Sequence, residues 1–434
     1  MAEVWRNWGR NQLARPQRVA APRDVDEVST LVQDAARDGL RVKPVGAGHS
    51  FTSAAVTDGV QVRMTSLDRV LAADPSTGRV TVQAGIPLHR LNQELEGRGL
   101  AMTNLGDIDR QTISGATSTG THGTGARFGG LSTQIAGLQL VLGDGSVVEC
   151  SAEERPDLFA AARVGIGALG VVTAVTLQCV PKFLMHAVEG PMRFDEVLER
   201  LDEFVAETDH FEFYWFPHTD RTLTKRNTRL PGDAEASPLG RWKSWVDDEL
   251  MANFAFGLTQ RTGHSAPRLI RRLNRIAGGS VGGREFTDVS HRVFVSPRRV
   301  RFREMEYAVP RESIRDVVRG VRDWIDTSGE PISFPIEVRF AAADDIWLST
   351  ASGRESAYVA VHQYFKADYE RYFRAVESIM SEVGGRPHWG KLHFLDATTL
   401  RERYPRFDEF RRVRDEVDPQ RVFANAYTER VLGP

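Results

Sequence analysis

Cysteine is nearly missing: the 434 residues include two, Cys150 and Cys179. Two thiols are too few for a disulfide framework or a cysteine zinc cluster, so core packing must hold the chain together, with both thiols expected as small buried side chains. Excess charge is missing as well. Lys and Arg number 56 against 58 Asp and Glu, a formal net charge of -2 that offers no bulk attraction for nucleic acid. Nor does any run approach the ~20 apolar residues that cross a bilayer, and the opening MAEVWRNWGRNQLARPQ is polar with no apolar signal core. These absences lead us to expect a cytoplasmic protein acting on a small soluble molecule, without nucleic acid or a membrane span.

What is present is enough chain for two cores, with 41% hydrophobic and 26% charged residues. Residues 24–39 place Val25, Val28, Leu31, Val32 and Ala35 on one helical face, with Asp24 as N-cap and Gly39 as stop. LRVKPVGAG then reads as a strand entering a loop. GVQVRMTSL, VLAADPSTGRVTVQAG and AGLQLVLGDGSVVECS read as strands, with Asp144-Gly145 as a hairpin turn. Strands and helices mix without regular βαβ alternation, so the class is α+β. After Pro181 the chain grows richer in aromatics and arginine, with strand-like ISFPIEVRF and AYVAVHQYF and a helix at 311–325. Trp242 and Trp245 sit at a helical spacing that favours core over membrane contact. The tail reads as a charged helix followed by a polar-aromatic strand or loop.

Glycine clusters in three places. Gly165-Ile166-Gly167-Ala168-Leu169-Gly170 matches G-x-G-x-x-G, but it follows a helix-like stretch and opens the β-branched VVTAVTLQCV, the reverse of a Rossmann unit. From Asn104 the chain runs NLGDIDRQTISGATSTGTHGTGARFGG, rich in backbone donors and hydroxyls and without the lysine of an NTPase loop. The third cluster, PVGAGHS, sets His49 among small residues where simple anion binding has no need of an imidazole.

PVGAGHS at 44–50, ISGATSTGTHGTG at 113–125, GALGVVTAV at 167–175 and RPHWGK at 386–391 together resemble the aldonolactone oxidoreductase and alditol oxidase branch of the vanillyl-alcohol-oxidase flavoproteins. The resemblance implies FAD and a two-domain fold. Residues 1–182, completed by 392–434, would bind FAD, and 183–391 would form the substrate or cap domain. It implies a covalent flavin on His49, whose neutral ring nitrogen is nucleophilic. Further cofactor contacts carried over are Val45, Gly46, Ala47, Gly48, Ser50, Gly106, Asp107, Ser114, Gly115, Thr119, Gly120, His122, Gly123, Gly170, Val172 and Asn425. As a metal ligand His122 would lack partners, so no metal is expected.

Glu337 and Arg339 share one face of a strand by period-two spacing, with apolar Ile336, Val338 and Phe340 on the other. The resemblance sets this pair beside the reacting carbon, with His362 on a neighbouring strand and Lys391 near the flavin. In that reading Glu337, oriented by Arg339, polarises or deprotonates the hydroxyl, and Lys391 stabilises developing charge. The sequence leaves open which group is the formal base. A chain that held FAD but had lost its chemistry would lack one of these groups, and all four are present. Asp107 and Tyr364 replace a serine and a threonine of the alditol oxidases. A flat Tyr364 suits a ring, so the expected substrate is L-gulono-, L-galactono- or D-arabinono-1,4-lactone, with an alditol such as xylitol or sorbitol as the alternative. Gly106 falls where related dehydrogenases carry an oxygen-blocking alanine. This favours O2 as acceptor over a quinone or cytochrome.

Overall fold

The computed structural model describes residues 4–240, 256–280, 282–296 and 300–434. Trp242 and Trp245 lie outside them. Helix Val25–Arg37 begins where expected, its first turn closed by Asp24 Oδ1 accepting from Glu27 N at 2.8 Å, and its buried face is Val28, Leu31, Val32 and Ala35. It connects two parallel strands, Arg18–Ala20 and Val42–Val45, that flank Val60–Arg63. Among the described residues this is the one sheet whose strands pair parallel, a short crossover unit that the expectation of irregular α+β order had not resolved.

A five-stranded sheet follows, in the order Val147–Ser151, Ile135–Val141, Val171–Gln178, Arg79–Gln83, Val70–Asp74. Gly145, at φ +81°, makes the expected hairpin between the first two. Cys150 and Cys179 are free and buried in this unit, and burial pushes both thiols up to about 12. The G-x-G-x-x-G segment lies between helix Pro156–Ala162 and strand Val171–Gln178, so it opens a strand and not a dinucleotide-binding helix.

The aromatic-rich half forms an eight-stranded sheet in the order Arg284–Val289, Phe183–Arg193, Arg221–Pro231, His210–Trp215, Ile336–Ala341, Ser356–Tyr364, Phe302–Pro310, Arg386–Pro387. Helix Ile314–Ser328, preceded by a 3-10 turn, ends at Gly329 with φ +68° and covers the apolar face of the sheet together with helix Glu370–Glu382. Ile336, Val338 and Phe340 join that core, which turns Glu337 and Arg339 to the opposite face.

The chain then returns to its first half. Leu400, Phe407, Phe410, Tyr427 and Leu432 pack into one cluster with Val80, Leu91, Ile113 and Leu138. Residues Ala426–Leu432 form a helix, not the expected strand or loop, because Asn425 and Thr428 build a reciprocal capping box that the sequence reading overlooked. The Asn425 Nδ2 group also donates to the carbonyls of Ser53, Ala54 and Val56 at 2.8–3.1 Å. Asn425, expected as a cofactor contact, thus caps a helix and holds the 53–56 loop, of which Ala54 and Ala55 line the glycine-rich hollow described below. Among the described residues no helix is long and apolar enough to cross a membrane.

Asn425→Ala removes a cap and three loop contacts. We expect a loss of about 2 kcal/mol in unfolding free energy, measured by urea denaturation.

Candidate active site

Strand Val42–Val45 delivers the small-residue loop 46–50 against the start of helix Ile113–Ser118. The approach demands glycine at position 46, where a Cβ would lie 2.1 Å from Thr112 Oγ1. The hairpin of Trp5–Arg6 with Leu13–Ala14 clasps this loop from outside. Trp8 N donates to Gly48 O at 2.8 Å, Asn7 Nδ2 to Ser50 O at 2.9 Å, and the Trp8 ring stacks on His49 at 5.6 Å between centroids.

Two hollows meet here. One, of about 890 Å³, is lined by Val45, Gly46, Ala47 and Gly48, by Ser114 and Gly115, and by Gly167, Gly170 and Val172. The other, of about 710 Å³, is lined by Gly106, Asp107, His122, Glu304, Glu337, Arg339, His362 and Lys391. His49, Ser50, Gln111 and Thr119 line both, so they form one cleft with a glycine half and a charged half. His49 stands at the junction. Burial, aided by Arg110, pushes its pKa down and keeps the ring neutral and nucleophilic.

In the charged half, Arg339 pairs with Glu337, with Glu212 at 2.8 Å and with Asp107 at 3.6 Å. Lys225 Nζ lies 3.1 Å from Glu212, and the Tyr214 hydroxyl lies 3.1 Å from Glu212 and 3.2 Å from Glu337. Burial opposes the charge on Arg339, but its three carboxylates outweigh burial and hold it protonated. Opposite stands a second cluster. Lys391 Nζ is 2.7 Å from both Glu304 and Glu306, His362 Nε2 is 3.2 Å from Glu304, and His122 Nε2 is 3.1 Å from Glu306. Burial would raise the Glu304 carboxyl, but Lys391 and His362 outweigh it and hold it at about 2.

The cleft thus gathers most of the expected site residues and excludes several. Tyr364 is not among the residues that line the charged half; it packs behind two that are, Phe51 and Phe302, and against Phe334. Gly120 and Gly123 also stay outside the lining. Gly123 is needed instead for backbone packing, since a Cβ there would lie 2.1 Å from Leu105 O. His122 does have ligand-type neighbours, contrary to expectation: Glu306 and His388 lie within 4.8 Å of it. Lys391 already occupies the same Glu306 oxygen, so a metal cation would have to displace an ammonium. Lys391 is likewise no free cation, being held protonated by its two carboxylates against burial.

Sequence reasoning missed Glu304, Glu306, Glu212, Lys225, His388 and Trp8. The period-two signal that found Glu337 and Arg339 is equally present in Phe302-Arg-Glu-Met-Glu-Tyr, where Glu304 and Glu306 share a face and Met305 and Tyr307 enter the core.

The glycine half fits FAD. Gly167, at φ +63°, presents open space on its missing Cβ side, and Gly48 is left-handed at φ +70°. Lys43, buried and pushed down to about 7 by its burial, lines this half and donates to Gly167 O at 3.2 Å. Its cross-strand partner Gln61 is fully buried with neither amide atom hydrogen-bonded, an unmet polar demand beside the cradle.

Comparison with known proteins agrees with this geometry. Residues 175–431 match the family model described as D-arabinono-1,4-lactone oxidase, and residues 16–151 match an FAD binding domain. An L-gulono-1,4-lactone dehydrogenase of Mycobacterium tuberculosis is 47% identical over 434 residues, covering 100% of both chains. The L-gulonolactone oxidase of Bos taurus is 34% identical, covering 99% of this chain and 98% of its own. A solvent-stable cholesterol oxidase superposes with a TM-score of 0.84 at 18% identity, covering 100% of this chain and 98% of its own, which establishes a shared two-domain fold.

Arg339→Met leaves three carboxylates facing one another with less compensation. We expect it to cost roughly 3–5 kcal/mol in urea denaturation, and Arg339→Lys to cost less.

Proposed function

The chain belongs to the D-arabinono-1,4-lactone oxidase family, and on that premise we propose that it oxidises a ring hydroxyl of an aldono-1,4-lactone such as L-gulono-1,4-lactone. The observation that carries this reading is the single cleft in which a cofactor cradle joins a charged hollow holding Glu337, Arg339 and His362. FAD in the glycine half supplies the acceptor for a hydride leaving the carbinol carbon. Arg339, fixed by Glu337 and Glu212, donates hydrogen bonds to the substrate's oxygens, and Glu337 orients the hydroxyl that reacts. Lys391 holds Glu304 and Glu306 in place. The lactone preference rests on the family, since Tyr364 does not line the charged half.

A neutral His49 at the junction supports covalent attachment of the flavin there. His49→Ala should release FAD on acid precipitation, where the parent protein retains it in the pellet. Release from both would remove the covalent link.

Gly106 borders the charged half and supports O2 as acceptor, whereas the name of the M. tuberculosis relative favours a second reading, a dehydrogenase using another acceptor. Anaerobic mixing with L-gulono-1,4-lactone should bleach the flavin, and xylitol should not. Colour returning in air assigns an oxidase, and its failure to return a dehydrogenase. In Gly106→Ala, whose Cβ would come within 3.1 Å of His122 O, reoxidation should slow while bleaching is little changed.

A further inference from the structure

Strands Phe302–Pro310 and Ser356–Tyr364 pair antiparallel with Glu304 directly opposite His362. Register therefore holds the carboxylate and the imidazole together, 3.2 Å apart from Oε1 to Nε2. The ring is steadied by Phe302, edge-on at 5.0 Å between centroids, and by Phe334, stacked at 6.1 Å. Glu304 is kept an acceptor by Lys391 at 2.7 Å, whose own position is set by the hydrogen bonds Leu392 N to Glu304 O and His388 N to Glu306 O. A proton on Nε2 faces the ionised Glu304 carboxylate, and that placement sets the lone pair of His362 on Nδ1. Nδ1 has no hydrogen-bond partner among the described residues, and the ring lines the charged half.

The other candidates are committed elsewhere. Glu337 is engaged by Arg339 and Tyr214. His388 Nδ1 accepts from Gly390 N at 3.0 Å, and burial together with Lys391 pushes that ring down to about 3. The two nitrogens of His122 face Gly123 O and Glu306.

We propose that His362 Nδ1 takes the proton of the substrate hydroxyl, and that Glu304 is the positioning residue that fixes its tautomer and supports the imidazolium formed. The proposal rests on the lactone-oxidation reading above. In the step the O–H bond breaks and its proton moves to Nδ1. The electron pair left on oxygen becomes the second carbon–oxygen bond, while the carbinol hydrogen departs with its two electrons to the flavin. A carboxylate orienting an imidazole through the nitrogen remote from the substrate is the arrangement of hydrolase triads, here on a sheet register.

The groups facing His362 are Glu304 and, through it, Lys391, with Glu337 and Arg339 across the same hollow. Removing the Glu304 charge weakens support for the imidazolium, so the acid limb of flavin reduction must move to lower pH. Anaerobic stopped-flow bleaching by L-gulono-1,4-lactone is followed across pH at matched flavin content. We expect His362→Gln to slow bleaching about 10²–10⁴-fold. Glu304→Gln should slow it less with the acid limb displaced downward, and Glu304→Asp should recover most of the rate. Independently of turnover, ¹⁵N imidazole NMR should show the Nε2–H tautomer for the resonance lost in His362→Gln, and a mixed tautomer in Glu304→Gln. Undiminished bleaching in His362→Gln, or an unmoved limb and tautomer in Glu304→Gln, overturns the proposal alone. A parent protein that no lactone bleaches overturns the underlying reading and the proposal with it.

Discussion

Burying charge is costly, and the architecture of this protein follows from having done so repeatedly in one place. Glu212, Glu304, Glu306 and Glu337 are all buried on the eight-stranded sheet, with Arg339 and Lys225 buried among them and Lys391 nearly so. Carboxylates desolvated in this way are tolerable only when each meets a cation or a donor in good geometry. An antiparallel sheet meets the demand because it fixes cross-strand neighbours to within a residue. Glu337, Arg339, Glu304 and Glu306 each alternate with residues that anchor the hydrophobic core beneath. A slip of one position would turn the charges into that core and the core into the cleft. The apolar packing of Ile336, Val338, Met305 and Tyr307 is therefore what holds the chemistry in register.

The two halves of the cleft are made by different means. On the cofactor side the chain removes side chains, letting backbone approach at Gly46 and turn left-handed at Gly48 and Gly167. In the charged half it crowds ionisable side chains onto a sheet. His49 sits where the two meet, held by the N-terminal hairpin through Trp8.

Local patterns were readable from the sequence, and long-range placement less so. The first helix, the Asp144-Gly145 hairpin and the false dinucleotide fingerprint follow from caps, turn residues and β-branching within a dozen residues. The facing of Glu337 and Arg339 follows from period two. Tyr364, expected at the substrate from the family pattern alone, lies behind Phe51 and Phe302 in the structure, a depth that no local pattern encodes. The loop contacts of Asn425 were not legible because its partners, residues 53–56, lie at the other end of the sequence. Glu304 and Glu306 carried the same alternating signal as Glu337 and Arg339, but nothing local reveals that Lys391 and His362 arrive to neutralise them.

The loop that follows His49 is tied to Asn425 across 369 to 372 residues, and the neighbouring strand to Val422 through the hydrogen bond from Val42 N. During synthesis the glycine cradle must therefore wait for almost the whole polypeptide to leave the ribosome before its floor can close. The two ends of the polypeptide share one floor beneath the glycine cradle, and a chain cut short upstream of Val422 would lack these ties however well its first half had folded.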